Sequence, residues 1–161
     1  MMKQTEDLKK AHANMQAGVI TVEGFLGFDN RLLSEIIQHD EEEFARLGLD
    51  WDVVAAKLHE LLKKGSAGLG EPTTVDKTWL IRVDETRGTL PSPWDGEGIF
   101  HKVNCEVRRL DKTGKPEGKI LLYNELSLNL LEKHHFLQGR GSHFRLEPAD
   151  IKTILGFWDR T

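Results

Sequence analysis

The spacing of apolar residues changes near Pro72, and this change constrains the fold more than any other feature of the sequence. Before Pro72, apolar residues recur every three or four positions, as on one face of a helix. After it they alternate with polar residues, as in half-buried strands. The pattern predicts an α+β fold with N-terminal helices packed on one face of a mainly antiparallel sheet. At 161 residues the chain fits a single α+β domain, 1–161, with 1–71 mainly helical and 72–161 mainly strands with a C-terminal helix.

The first half is expected to contain three helices and one strand. Thr5 is a suitable N-cap for a short first helix, and a second helix is predicted to start at Asp29 and to kink near 40–43. A strand is predicted over 19–26, between these helices. The clearest helix follows Asp50, because its apolar residues fall at i, i+3, i+4, i+7, i+10 and i+11, and Gly65 is expected to end it.

In the second half the alternating segments predict strands over 75–84, 99–110, 119–124 and 143–147, with a turn over 111–118. A short helix is expected from Leu126 to His134, and Pro148 is suited to open a final helix. The alternation in 99–110 places His101 on the same apolar face as Val103 and Cys105. His101 is therefore expected to be a core histidine or to line a pocket, and Cys105 to be a buried structural thiol.

Composition excludes several classes of function. The formal net charge is −4 and the pI about 6.0, so binding to nucleic acid is not expected. No apolar stretch approaches 18 residues, and no apolar run follows the polar N-terminus, so we expect no membrane span, no signal peptide and a cytoplasmic protein. The single cysteine leaves no internal disulfide.

Familiar catalytic and cofactor motifs fail on inspection. The segment starting at His59-Glu60 resembles a zincin helix but has Lys63 in place of the second histidine. The glycine-rich run 65–70 follows a helix rather than joining a strand to one, which is the wrong context for a dinucleotide. His134 and His135 are adjacent on a helix and point about 100° apart, which disfavours a shared metal ion. We predict no metal and no cofactor.

Two segments are more elaborate than plain connections. The first is 86–98, a long loop with two prolines and Trp94, which is either a packed surface loop or a lid or pocket wall. The second is 134–148, which contains three histidines, two arginines and two glycines. Its turn 139–142 can present backbone N–H groups to an anion, beside Arg140 and Ser142.

In the second segment Arg145 adds a possible forked contact to a carboxylate or phosphate. The structural alternative is a tight turn whose arginines pair with Glu147, Glu132 or Asp150. We therefore predict a soluble binding module for a small anionic ligand or a protein partner. The alternative is a small hydrolase or transferase acting on a phosphate- or carboxylate-bearing substrate, with His101 or His135 as acid or base. The candidate site residues are Trp94, His101, His135, Arg140, Ser142, His143 and Arg145.

Overall fold

The structure of the protein is a computed structural model that describes residues 4–156. These residues form an α+β fold with five α-helices, one 3₁₀ turn and four strands. The helices are α1 (Glu6–Asn14), α2 (Leu33–Leu47), α3 (Trp51–Gly65), α4 (Glu125–His134) and α5 (Pro148–Leu155). The strands are β1 (Thr73–Val75), β2 (Trp79–Pro91), β3 (Ile99–Leu110) and β4 (Pro116–Asn124), and the 3₁₀ turn is Ser66–Gly68. None of these helices is both long enough and apolar enough to cross a lipid bilayer.

The four strands form an antiparallel sheet in the order β1-β2-β3-β4. One face of the sheet is buried, and α3, α4 and α5 contact it. Two buried polar groups on this face find backbone partners: the Tyr123 hydroxyl donates to the Leu58 carbonyl at 2.7 Å, and Trp79 Nε1 donates to the Ile154 carbonyl at 2.8 Å. The helical layer is thus joined to the sheet by hydrogen bonds as well as by apolar packing.

Helix α3 follows its sequence pattern closely. The Asp50 side chain caps its N-terminus by accepting from the Val53 N–H at 3.0 Å, and Leu58 in the middle of the apolar stripe is fully buried. Helix α3 ends at Gly65, as predicted, and the chain continues directly into the 3₁₀ turn. A Cβ at Gly65 would lie 2.4 Å from Ile81 Cγ2, so glycine lets the helix end pack closely on β2.

Besides the apolar cluster between the helices and the sheet, a second apolar cluster is formed mainly by α1, α2 and α4. The Thr5 hydroxyl caps α1 as predicted, and α2 runs without a break through 40–43, contrary to expectation. Helix α2 also starts at Leu33 and not at Asp29. The Asp29 carboxylate instead accepts hydrogen bonds from the Arg31 guanidinium and the Arg140 backbone N–H.

The predicted strand over 19–26 is wrong, since this segment consists of turns and bends. Gly18 and Gly24 both have positive φ, which turns the chain out of an extended path. Val22 is therefore 88 % exposed, although the alternation had placed it on a buried face. Phe25 is buried and bonds through its backbone to Met15 and Gly139 rather than to a neighbouring strand.

Four further segments in the second half differ from their predicted bounds or type. The strand predicted over 75–84 is two strands, β1 and β2, joined by a tight turn in which Asp76 and Lys77 both have positive φ. Strand β2 continues to Pro91, so the loop predicted over 86–98 is shortened to 92–98, and the turn predicted over 111–118 is shortened to 111–115. Residues 143–147 form turns and irregular backbone instead of a strand.

His101 is exposed, which corrects its predicted place on the buried face of β3. The alternation along β3 is right, but the face that is buried reverses along the strand. Strand β4 ends opposite Asn104, and beyond it β2 and β3 continue as a two-stranded ribbon. In the ribbon, the face of β2 and β3 that carries Leu90 and Phe100 packs on the second apolar cluster. His101 lies on the other face and is therefore in solvent.

Candidate functional site

The sequence-predicted site divides between two places in the structure. Trp94 and His135 line a surface depression of about 270 Å³ beside α4. Ser142 and His143 line a separate cavity of about 310 Å³. The remaining three residues, His101, Arg140 and Arg145, line neither.

Loop 92–98 is held on α4 by Glu97. One carboxylate oxygen, Oε1, accepts from Ser92 Oγ at 2.7 Å and from Asn129 Nδ2 at 3.1 Å, while Oε2 lies 2.6 Å from His134 Nε2. Burial raises the pKa of Glu97, but the hydrogen bonds from Ser92 and His134 outweigh it and the pKa is lowered. Glu97 therefore stays ionised and accepts a hydrogen bond from His134 Nε2.

Trp94 lies flat on the His134 ring, with 3.8 Å between the ring centroids, and its edge meets Phe136. The adjacent residue, His135, has a similar arrangement. Its Nδ1 lies 2.7 Å from Glu41 Oε2, and its ring stacks on Trp51 with 4.2 Å between the ring centroids. Two histidine–carboxylate pairs thus flank the depression. His134 was not among the residues selected from the sequence, because nothing in the sequence indicates that Glu97 reaches it.

Arg145 is held inside the protein. Its guanidinium forms a forked contact with the Asp40 carboxylate at 2.5 and 2.9 Å, and it also donates to Glu147 and to the Gln138 carbonyl oxygen. Burial lowers the pKa of Arg145, but these hydrogen bonds dominate and raise it. The pairing with Glu147 agrees with the structural alternative for this segment, whereas no local pattern indicates the pairing with Asp40.

Three backbone N–H groups of the turn 139–142, those of Gly139, Arg140 and Ser142, bind the chain itself. Gly139 donates to the Phe25 carbonyl at 2.9 Å, and Arg140 donates to Asp29 Oδ2 at 3.1 Å. The Arg31 guanidinium holds the pKa of Asp29 far below its usual range, so the anion that meets this turn is the chain's own carboxylate. The Arg140 side chain is exposed, and no other described residue forms a hydrogen bond or ion pair with it.

The cavity beside Ser142 and His143 is the larger of the two sites that the predicted residues line, and is called the larger cavity in that sense only. It lies between the irregular segment 21–25 and the turn 142–144. Most of its wall is apolar, with contributions from Phe25, Leu90, Leu126 and Phe144. Its volume of about 310 Å³ is at the lower end of the range of about 300–1,000 Å³ that is usual for small-molecule sites. A ligand of one ring or a short chain therefore matches its size.

Two buried amide side chains, Asn124 and Gln138, line this cavity and are 7 % and 4 % exposed. In each, the amide oxygen is already used: Asn124 Oδ1 accepts from the N–H and hydroxyl of Ser127, and Gln138 Oε1 accepts from Ser142 Oγ at 2.8 Å. Their NH₂ groups have no hydrogen-bond partner anywhere in residues 4–156. The cavity thus combines apolar walls with two amide donors that the protein leaves unused.

Sequence reasoning missed both amides. Asn124 follows β4 and caps α4, and an asparagine between a predicted strand and a predicted helix is a recognisable N-cap signal. Gln138 carries no such signal. Its backbone is in the left-handed region, with a φ of 73°, and a residue other than glycine does not indicate that conformation in the sequence. Only the packing of the surrounding turn determines that conformation.

Comparisons of the chain with protein-family models, with curated proteins and with solved structures find no match. Among residues 4–156, no group of three or more histidine, cysteine or acidic side chains is placed to hold a metal ion. Cys105 is fully buried on the inner face of the sheet, and burial raises the pKa of its thiol to about 11. The geometry of the cavity and of the depression is therefore the basis on which a function can be inferred.

Proposed function

We propose that the protein is a binding module for a small, mainly apolar molecule that presents acceptor oxygens to Asn124 and Gln138 in the larger cavity. The observation that carries the proposal is the pair of unused amide donors in one apolar cavity. Both NH₂ groups lack a protein partner among the described residues, and each nitrogen keeps some contact with solvent in an otherwise largely apolar wall. A bound acceptor oxygen would give each donor a hydrogen bond inside the cavity, and one such bond contributes about 0.5–1.5 kcal/mol.

The backbone at Gln138 supports the same proposal. A left-handed conformation at a residue other than glycine is unfavourable by about 1–2 kcal/mol, and such residues persist where their surroundings fix them, frequently at binding sites. Here the Gln138 carbonyl accepts from Arg145 and the Gln138 side chain accepts from Ser142. Arg145 thus enters the proposal as a positioning residue and not as a contact to the ligand.

Two isosteric variants test the proposal, Asn124→Asp and Gln138→Glu. Each keeps an oxygen acceptor at the position of the amide oxygen, so the Ser127 and Ser142 contacts are retained. Each also removes the NH₂ donor. Each also deletes one pair of side-chain amide signals from a ¹⁵N–¹H NMR spectrum and so assigns it. In the wild-type protein, adding benzoate or benzamide should shift both assigned pairs. Asn30→Asp is the matched control, because Asn30 is exposed and lies outside the cavity.

The expected result is that the two cavity amides shift with the probe while the Asn30 amide does not. In Asn124→Asp and Gln138→Glu the remaining shifts should need a higher probe concentration. If neither probe moves the Asn124 or Gln138 signals up to its solubility limit, the binding proposal is wrong.

A small hydrolase is a second candidate function, favoured by the oriented imidazole of His134. In this alternative, His134 Nδ1 would accept a proton from water as the water attacks an ester or a related carbonyl group. The test is the hydrolysis rate of p-nitrophenyl acetate in the wild-type protein, in His134→Gln and in the control His39→Gln, whose histidine is exposed on α2. Equal rates for the three proteins would reject this alternative.

A further inference from the structure

We infer that the ligand of the larger cavity is a small apolar carboxylic acid whose carboxylate lies between Asn124 and Gln138 at the N-terminus of α4. This inference rests on the proposed function and adds the chemical class of the ligand. Three features of the cavity carry it: the number of donors, the local charge and the apolar wall.

The number of unused donors favours a carboxylate. Each amide NH₂ group carries two N–H bonds, so Asn124 and Gln138 together bring up to four donors to one cavity. An ionised carboxylate has two oxygens and about four acceptor positions, whereas a neutral carbonyl has one oxygen and two. A carboxylate is therefore the smaller organic group that can serve both amides at once.

The local charge favours an anion. Helix α4 has ten residues and begins at the cavity, where its N-cap Asn124 and its second residue Leu126 both contribute to the wall. The N-terminal end of a helix carries a partial positive charge that stabilises an anion within the first turn. The Gln138 side chain lines the same cavity and brings a second NH₂ donor that does not depend on the helix end.

Two ionisable side chains of the described residues line the cavity, Glu23 and His143, and the Glu23 carboxylate opposes a bound anion. Both side chains are solvent-exposed, so water screens them. Glu125 in the first turn of α4 is engaged elsewhere, since it accepts from the His101 backbone N–H at 3.2 Å and does not line the cavity.

The wall of the cavity excludes a purely polar anion. Inorganic phosphate would use the two amides but would leave Phe25, Leu90, Leu126 and Phe144 facing a strongly hydrated group. Within residues 4–156, no lysine or arginine lines the cavity to compensate for the loss of that hydration. An aromatic or short aliphatic acid places its body against these walls and needs only its carboxylate to be desolvated.

Benzoate, benzamide and inorganic phosphate are suitable probes, because the first two share size and shape and differ in charge. Their dissociation constants should be measured by NMR titration of the wild-type protein, followed through the Asn124 and Gln138 amide signals. We expect benzoate to bind at least about tenfold more tightly than benzamide, which corresponds to about 1.4 kcal/mol. Phosphate should not shift these signals.

Asn124→Asp then tests the charge directly, because aspartate is also a good N-cap and keeps the start of α4 intact. It should weaken benzoate by about tenfold or more through repulsion between carboxylates, with a smaller effect on benzamide. Asn30→Asp adds the same charge outside the cavity and should leave the affinity for benzoate nearly unchanged. Gln138→Glu is a second variant, and it should likewise weaken benzoate more than benzamide.

The outcomes separate the inference from the function on which it rests. Benzamide binding as tightly as benzoate, or equal losses for the two probes in Asn124→Asp, would overturn the carboxylic acid and leave the binding module in place. Phosphate shifting the two amides as benzoate does would also overturn it. Failure of all three probes to shift them would overturn the proposed function itself.

Discussion

Replacing Arg145 with methionine should destabilise the fold by about 3–5 kcal/mol, because it leaves the Asp40 carboxylate buried without its cationic partner. The two side chains are 7 % and 1 % exposed, so water cannot take over the role of the guanidinium. The contact joins α2 to the segment before α5, at positions 105 residues apart in the chain. Its loss should therefore reduce the stability of the whole fold rather than loosen one loop.

The magnitude depends on which partner is removed. Replacing both charged residues, as in Asp40→Leu with Arg145→Met, removes the unpaired charge, and substituting a buried ion pair by apolar residues is often close to neutral. The Gln138 carbonyl still loses its bond from Arg145, which costs about 1–3 kcal/mol. The double variant should thus be more stable than Arg145→Met and less stable than the wild-type protein.

Urea denaturation with linear extrapolation measures these free energies of unfolding. Arg140→Met is the matched control, since the Arg140 side chain is exposed and its loss should change stability by less than about 0.5 kcal/mol. A loss below about 1 kcal/mol for Arg145→Met would contradict the buried pair. So would a double variant that is less stable than either single variant.

Three further predictions concern other parts of the fold. Leu58→Ala should cost about 2–5 kcal/mol in urea denaturation, because Leu58 is fully buried between α3 and the sheet. Gly139→Ala should cost about 1–3 kcal/mol by the same measurement, since its Cβ would lie 2.3 Å from the Leu26 carbonyl oxygen. Asp29 has a lowered folded pKa, so its stabilisation is present above its ordinary pKa near 3.8 and is lost as the pH falls. The stability difference between the wild-type protein and Asp29→Asn should therefore be larger at pH 7 than at pH 3, and an equal difference at both would contradict the assignment.

The parts of the fold that the sequence predicted are those in which local signals agree with the packing. Helix α3 has a capping aspartate, a continuous apolar stripe and lysines in its last turn, and all of these act as their chemistry suggests. The same holds for α4, for β3 and for Pro148 at the start of α5. In each case the information lies within about fifteen consecutive residues.

In the segment 19–26, local periodicity does not predict the structure. Its alternation resembles a strand, yet the partner of its backbone is the turn at Gly139, more than a hundred residues away. Both sides of that contact depend on close approach: a Cβ at Gly27 would lie 2.3 Å from the Arg140 carbonyl oxygen, and one at Gly139 would lie equally close to Leu26. Periodicity carries no information about such contacts, because they depend on the absence of side chains and not on their pattern.

The polar groups of segment 134–148 bind mostly to the chain itself. Arg145 pairs with Asp40, the Arg140 N–H meets Asp29, and the Gly139 N–H meets Phe25, so three of the contacts first considered for an external anion fix this segment to α2 and to the preceding loop. Their combined effect is to hold Gln138 in a left-handed conformation with its side chain at the cavity. A residue with no signal in the sequence thus becomes the proposed ligand contact, because the conspicuous residues around it serve to position it.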